Sequence, residues 1–146
     1  MTKDVLVYVE GMQLGSSDEN KVSIVTPGTY YKKKDHHFVM YEELDEDSEQ
    51  VTKNILRFDG DFFEISKRGL TNVDMVFEKN KRNMSNYVTP FGSMLVGIDA
   101  DQVDISEEDD SIKIKIDYAL DINYEHFADC KIRMDIRSKK EEQYES

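Results

Sequence analysis

Cysteine is almost absent from this chain of 146 residues: Cys130 is the only one. No intrachain disulfide can form, so a secreted scaffold held together by disulfides is excluded and a reducing, cytoplasmic setting is expected. Long apolar runs are missing as well. The only one near the N-terminus, Val5 to Val9, is flanked by Asp4 and Glu10 and is far shorter than a signal-peptide core or a membrane span, so it reads as a strand. Cations are scarce: 19 Lys and Arg stand against 31 Asp and Glu, a formal net charge of −12. A field of that sign repels phosphate backbones and anionic headgroups, so neither nucleic acid nor membrane is expected as a partner. The G-x-S-x-G, P-loop and G-x-G-x-x-G signatures are absent, which lowers the expectation of an enzyme without settling it. No window carries a sustained helical apolar stripe, and no linker or internal repeat divides the chain.

What is present is period-two alternation. Ile112, Ile114, Ile116, Tyr118, Leu120 and Ile122 alternate with Lys113, Lys115, Asp117, Ala119, Asp121 and Asn123. This is the pattern of an antiparallel strand with one face on a core and the other in water. Ile132, Met134 and Ile136 repeat it, which leaves residues 123–129 as a hairpin loop. Further strand-like runs cover Val5–Leu14, Val22–Tyr31, His37–Glu43, Val51–Phe58, Phe62–Arg68, Val73–Glu78, Tyr87–Ile98 and Gln102–Ser106. Between two of them, Asp59-Gly60 predicts a two-residue type I′ turn, because both residues tolerate positive φ. About ten short strands with short connections predict an all-β fold, a single antiparallel meander that closes into a barrel and thereby removes its edges. The barrel is expected over residues 1–137, with the charged segment SKKEEQYES, residues 138–146, as a solvated tail.

Gly28-x-Tyr30-Tyr31, Tyr41-Glu42-Glu43, Arg68-Gly69, Met75-x-Phe77 and Tyr87-x-Thr89-Pro90-Phe91-Gly92, followed by the long alternating strand, together resemble the bacterial YwiB family. The resemblance spans roughly Val5 to Ile136 and rests on the order and spacing of these motifs. It implies a calycin-like barrel, similar in shape to lipocalins, and it implies no reaction.

The residues with chemical potential are few. Glu43 shares a strand face with Tyr41 and opposes Glu42, so the two glutamates cannot act together as an acid–base pair. Glu43 and Arg68 are expected to meet inside the barrel, with Tyr41, Tyr87 or Tyr118 nearby. They would form either an anchor for a ligand's polar group or a structural ion pair that plugs one end. The acidic run Glu42, Glu43, Asp45, Glu46, Asp47 and Glu49 fails as a calcium loop, since Gln50 and Leu56 stand where an EF-hand counted from Asp45 needs Gly and Glu. His36 and His37 diverge on a strand and His126 is remote, so no metal site is expected. Cys130 reads as a packing residue, and Lys32-Lys33-Lys34 beside Tyr30, Tyr31 and Phe38 reads as a charged turn after an aromatic strand.

No cofactor is implied. The leading expectation is a non-enzymatic barrel that binds a small apolar or amphipathic ligand inside. The second is an interaction module that docks a basic protein partner on its acidic surface or on an exposed strand edge. An enzyme working from Arg68 and Glu43 comes third. Bulky inward residues such as Leu56, Phe63 and Phe77 bear on the choice, because in a small barrel they can fill the interior.

Overall fold

The computed structural model describes residues 1–12, 21–44 and 49–139. Ten strands follow one another in a meander: β1 (Asp4–Met12), β2 (Lys21–Lys33), β3 (His36–Leu44), β4 (Val51–Phe58), β5 (Phe62–Arg68), β6 (Asn72–Glu78), β7 (Lys81–Thr89), β8 (Gly92–Glu107), β9 (Ser111–Ile122) and β10 (Glu125–Ser138). Each pairs antiparallel with the next, and β10 returns to β1 in a register running from Val5↔Ser138 to Gly11↔Ile132. The expected closed meander barrel is therefore the observed fold. Ser138 belongs to the wall rather than to a tail: it is buried, its hydroxyl accepts the Thr2 N–H at 3.1 Å, and its own N–H donates to the Asp110 carbonyl at 2.9 Å. The rest of the expected tail from residue 140, the far end of the first predicted strand and the Asp45–Asp47 part of the acidic run lie outside the described residues.

Several connections differ from the sequence reading, each for a local reason. Type I′ turns occur at Lys34-Asp35, with φ of 51° and 68°, and at Asn123-Tyr124, with φ of 50° and 70°. The connection at Asp59-Gly60 is not one of them, since neither residue has positive φ and the Asp59 N–H instead reaches the Phe62 carbonyl at 3.0 Å. The broad loop expected before Cys130 shrinks to the Asn123-Tyr124 turn, because a bulge between His126 and Ala128 breaks the alternation inside β10 itself. A second bulge, between Ala100 and Gln102, reverses the facing of β8, so that Ile98 and Ala100 and then Val103 point inward. That reversal makes one strand look like two. Conversely, Tyr87–Ile98 spans a turn, where Gly92 has φ of 129°, and the first half of β7 carries no apolar alternation to detect.

The interior is filled. His37 stacks on Phe58 at 5.0 Å between centroids, Phe58 on Phe63 at 5.8 Å, Phe63 meets Phe77 at 5.9 Å and Phe77 meets the Tyr118 edge at 4.9 Å. This ladder crosses the barrel among Leu56, Ile98, Ile112, Ile114 and Ile116, all buried. Each ring contributes its burial plus about 0.5–1.5 kcal/mol per well-placed aromatic pair.

Candidate functional site

Toward one end of β3, β4 and β5 the inward face turns from apolar to polar. On β3 it runs Val39, Tyr41, Glu43; on β4, read toward the same end, Leu56, Asn54, Thr52; on β5, Phe63, Ile65, Lys67. The polar ends converge. The fully buried Asn54 donates from Nδ2 to Glu43 Oε1 at 2.7 Å, and Lys67 Nζ donates to the same oxygen at 3.1 Å and to Asn54 Oδ1 at 2.8 Å. The result is a ring in which a cation, a carboxylate and an amide satisfy one another. Glu43 and Lys67 keep 37% and 31% of their side chains exposed, so solvent screens their attraction and Asn54 makes the geometry specific.

The wall next to this triad is open. The main chain of Tyr30 donates to the Lys3 carbonyl at 2.8 Å, so even-numbered residues of β2 direct their N–H and C=O groups at β1 and odd-numbered residues direct theirs at β3. Pairing of β2 with β3 runs from Lys33↔His36 to Gly28↔Tyr41 and stops there. In that register the next hydrogen-bonded pair would join residues 27 and 42, but Pro27 has no N–H to give the Glu42 carbonyl. The ladder ends where its donor is missing. Gly28 is the last paired residue, and a Cβ there would lie 3.0 Å from both the Met40 carbonyl oxygen and Val7 Cγ2, so any larger residue would have to push its neighbours aside where the two strands still hold β2 tightly. Beyond it, a cleft of about 640 Å³ is lined by Asp4, Pro27, Met40, Tyr41, Asn54 and Ile55, among others.

The expected site residues fall into two groups. Tyr41 lines this cleft and is buried, and Glu43, two residues further along β3, sits in the triad. Arg68 does not join them: Lys67 has the inward facing on β5, so Arg68 points outward and pairs with Asp74 at 2.8 Å. The expected Glu43–Arg68 pair is thus a Glu43–Lys67 pair, a displacement of one residue. Tyr87 packs against the core from β7, and Tyr118 on β9 shares a hydrogen bond with Cys130 and an edge contact with Phe77. Burial, opposed by that hydrogen bond, pushes the Cys130 thiol above its ordinary range, as befits a packing residue rather than a nucleophile.

A second polar cluster, at the far end, escaped the sequence reading. His37 is buried, its Nδ1 lies 2.7 Å from the Tyr30 hydroxyl, and its Nε2 lies 3.3 Å from Glu107 Oε2. With Glu107 accepting from Nε2–H, Nδ1 accepts from Tyr30, and the cluster ties the β2–β3 hairpin to the end of β8. Glu107 is far in sequence from Tyr30 and His37, and only the closed topology brings it to His37.

Burial first, and then a neighbouring group, raises the pKa of three tyrosines above the ordinary phenol value: Glu107 for Tyr30, Glu43 for Tyr41 and Cys130 for Tyr118. Their neutral forms favour the folded state fully below the unfolded phenol pKa of about 10, and this stability is lost as pH rises from there toward the folded values. Alkaline titration followed by tyrosinate absorbance is expected to show Tyr41 and Tyr118 ionising only as the barrel unfolds. A Tyr118→Phe variant that left the tyrosinate curve unchanged through the unfolding step would contradict this.

A closed ten-stranded meander barrel with a packed interior and a polar end beside a parted wall defines the class of protein. Residues 7–134 match the family model described as Domain of unknown function (DUF1934), and the chain belongs to that family. Its fold matches the crystal structure of the ywiB protein from Bacillus subtilis, with a TM-score of 0.77 over 94% of this chain and 93% of that one, at 16% identity. None of the curated proteins compared with the chain matches it.

Proposed function

We propose that this protein is a non-enzymatic binding protein that takes a small amphipathic ligand at the polar end of the barrel, entering where β2 parts from β3. One observation carries the reading: the wall opens at Pro27 directly beside a buried amide, Asn54, that is already held in place by Glu43 and Lys67. Such a preset polar floor can orient a ligand's polar group at little further cost in ordering. The cleft's volume of about 640 Å³ falls within the usual range for ligand sites. Pro27, Met40 and Ile55 offer apolar surface for the rest of the molecule, whereas the barrel axis is occupied by aromatic rings.

Native mass spectrometry of protein purified from its own cells is expected to show a retained molecule. The adduct should be lost when Glu43→Gln and Lys67→Met are combined, while circular dichroism shows the barrel intact. A wild-type protein that carries no adduct under gentle ionisation would remove the support for this reading.

A further inference from the structure

The main chain along the parted edges of β2 and β3 says more about what fits there. By the facing derived above, Glu42 at the cleft and, further along the same parted edges, Ser23 and Val25 on β2 and Leu44 on β3 direct N–H and C=O groups at the gap between the two strands. Among the described residues none of these four has a strand partner on that side. Main-chain groups on a sheet edge are matched best by another main chain, because each extended residue that faces the edge offers one donor and one acceptor at strand spacing. A purely aliphatic ligand would leave them to water.

We infer that the ligand of this cleft is an extended basic peptide segment that adds to the edges of β2 and β3 as a strand, its apolar residues alternating with cationic ones. The inference rests on the reading of the cleft as a binding site. The alternation follows from the two faces. Side chains pointing inward from an added strand would meet the hydroxyl of Tyr41 and the carboxylate of Glu43, whereas those pointing outward would lie beside Val25, Met40 and Leu44, which are 60%, 40% and 67% exposed. The cationic character follows from the protein's net charge of −12 and from the carboxylates of Asp4 and Glu42 at the rim and Glu43 behind it, which outnumber the cations Lys53 and Lys67 among the described residues there. Strand addition of this kind draws affinity from main-chain hydrogen bonds and specificity from alternate side chains.

The test uses the full chain and a short blocked peptide of alternating valine and lysine, with hydrogen exchange and titration as readouts. Binding is expected, with slowed exchange at the amides of Ser23, Val25, Glu42 and Leu44. Methylating every amide nitrogen of the peptide should weaken binding by about tenfold or more, since charge and apolar area stay but the donors go. Pro27→Val restores the N–H opposite Glu42, should let β2 and β3 zip past Gly28, and should weaken the peptide to a similar degree while raising thermal stability.

Equal binding of the methylated peptide, or unchanged exchange at those amides, overturns strand addition. Octylamine, a cation with an apolar body and no amide, separates this inference from the reading beneath it. If octylamine binds in the cleft and the peptide does not, the cleft remains a ligand site and the peptide is wrong. If neither binds and no cellular adduct is found, both fall.

Discussion

Replacing Phe63 by alanine is expected to cost about 3–5 kcal/mol, because the ring is wholly buried and sits between two others that cannot close the gap. Phe63 lies directly across from Phe58 on β4 and from Phe77 on β6, with centroid separations of 5.8 and 5.9 Å. Removing it interrupts a ladder that runs from His37 to Tyr118, and a closed barrel resists the inward collapse that would refill the space. In a chain of this size the midpoint of thermal unfolding should fall by roughly 10 °C or more. Phe62→Ala is the matched control. Phe62 points outward under the Arg57 guanidinium, 5.1 Å from its ring centre, and its loss should cost only about 1 kcal/mol. Urea unfolding of the two variants measures the difference directly, and comparable losses would mean that the ladder is not the core of this barrel.

The elements that sequence reading located best are those whose interior face is apolar throughout. Ile112 to Ile122 on β9 is legible because every second residue is apolar and faces the core, with Ile112, Ile114, Ile116 and Leu120 buried, and the strand count follows from repeats of that pattern. Legibility failed where the alternation was interrupted or its chemistry changed. The bulge at Ala100/Gln102 splits β8 into two apparent strands, and β7 shows polar Asn83 and Ser85 on its inner face, so its first half resembles a loop. For the site, Tyr41 and Glu43 were recognisable because facing on β3 is regular. The partner of Glu43 lies one residue from Arg68 because the choice between Lys67 and Arg68 depends on the parity of β5 relative to Phe63 and Ile65. Asn54 gives no signal, because β4 also carries Thr52, Lys53 and Arg57 and only its buried, inward facing sets Asn54 apart. The opening at Pro27 could not be seen before pairing was known, since a proline matters to a sheet only when its missing donor faces a partner.

The triad itself yields the second large effect and decides between an anchor and a plug. Asn54→Leu keeps volume but removes the acceptor that holds Lys67 at 2.8 Å and the donor that holds Glu43 at 2.7 Å, leaving both less well satisfied at the barrel's end. A loss of about 2–3 kcal/mol is expected, the usual penalty for orphaning partly buried polar groups. Adding Glu43→Gln and Lys67→Met to Asn54→Leu removes the two charges that lost the amide, and part of the loss should return, because a partly exposed ion pair contributes little by itself. The three positions must therefore be strongly non-additive in a mutant cycle, and simple additivity would show that they do not act as one unit. Stability alone does not separate the two roles, but stability and ligand together do. If the triad only plugs the barrel, the triple variant regains its fold and keeps whatever molecule the wild type retains. If the triad orients a ligand, the triple variant regains its fold and comes out of the cell empty, since a leucine, a glutamine and a methionine can close the end of a barrel but cannot present a fixed carboxylate and ammonium to the opening at Pro27.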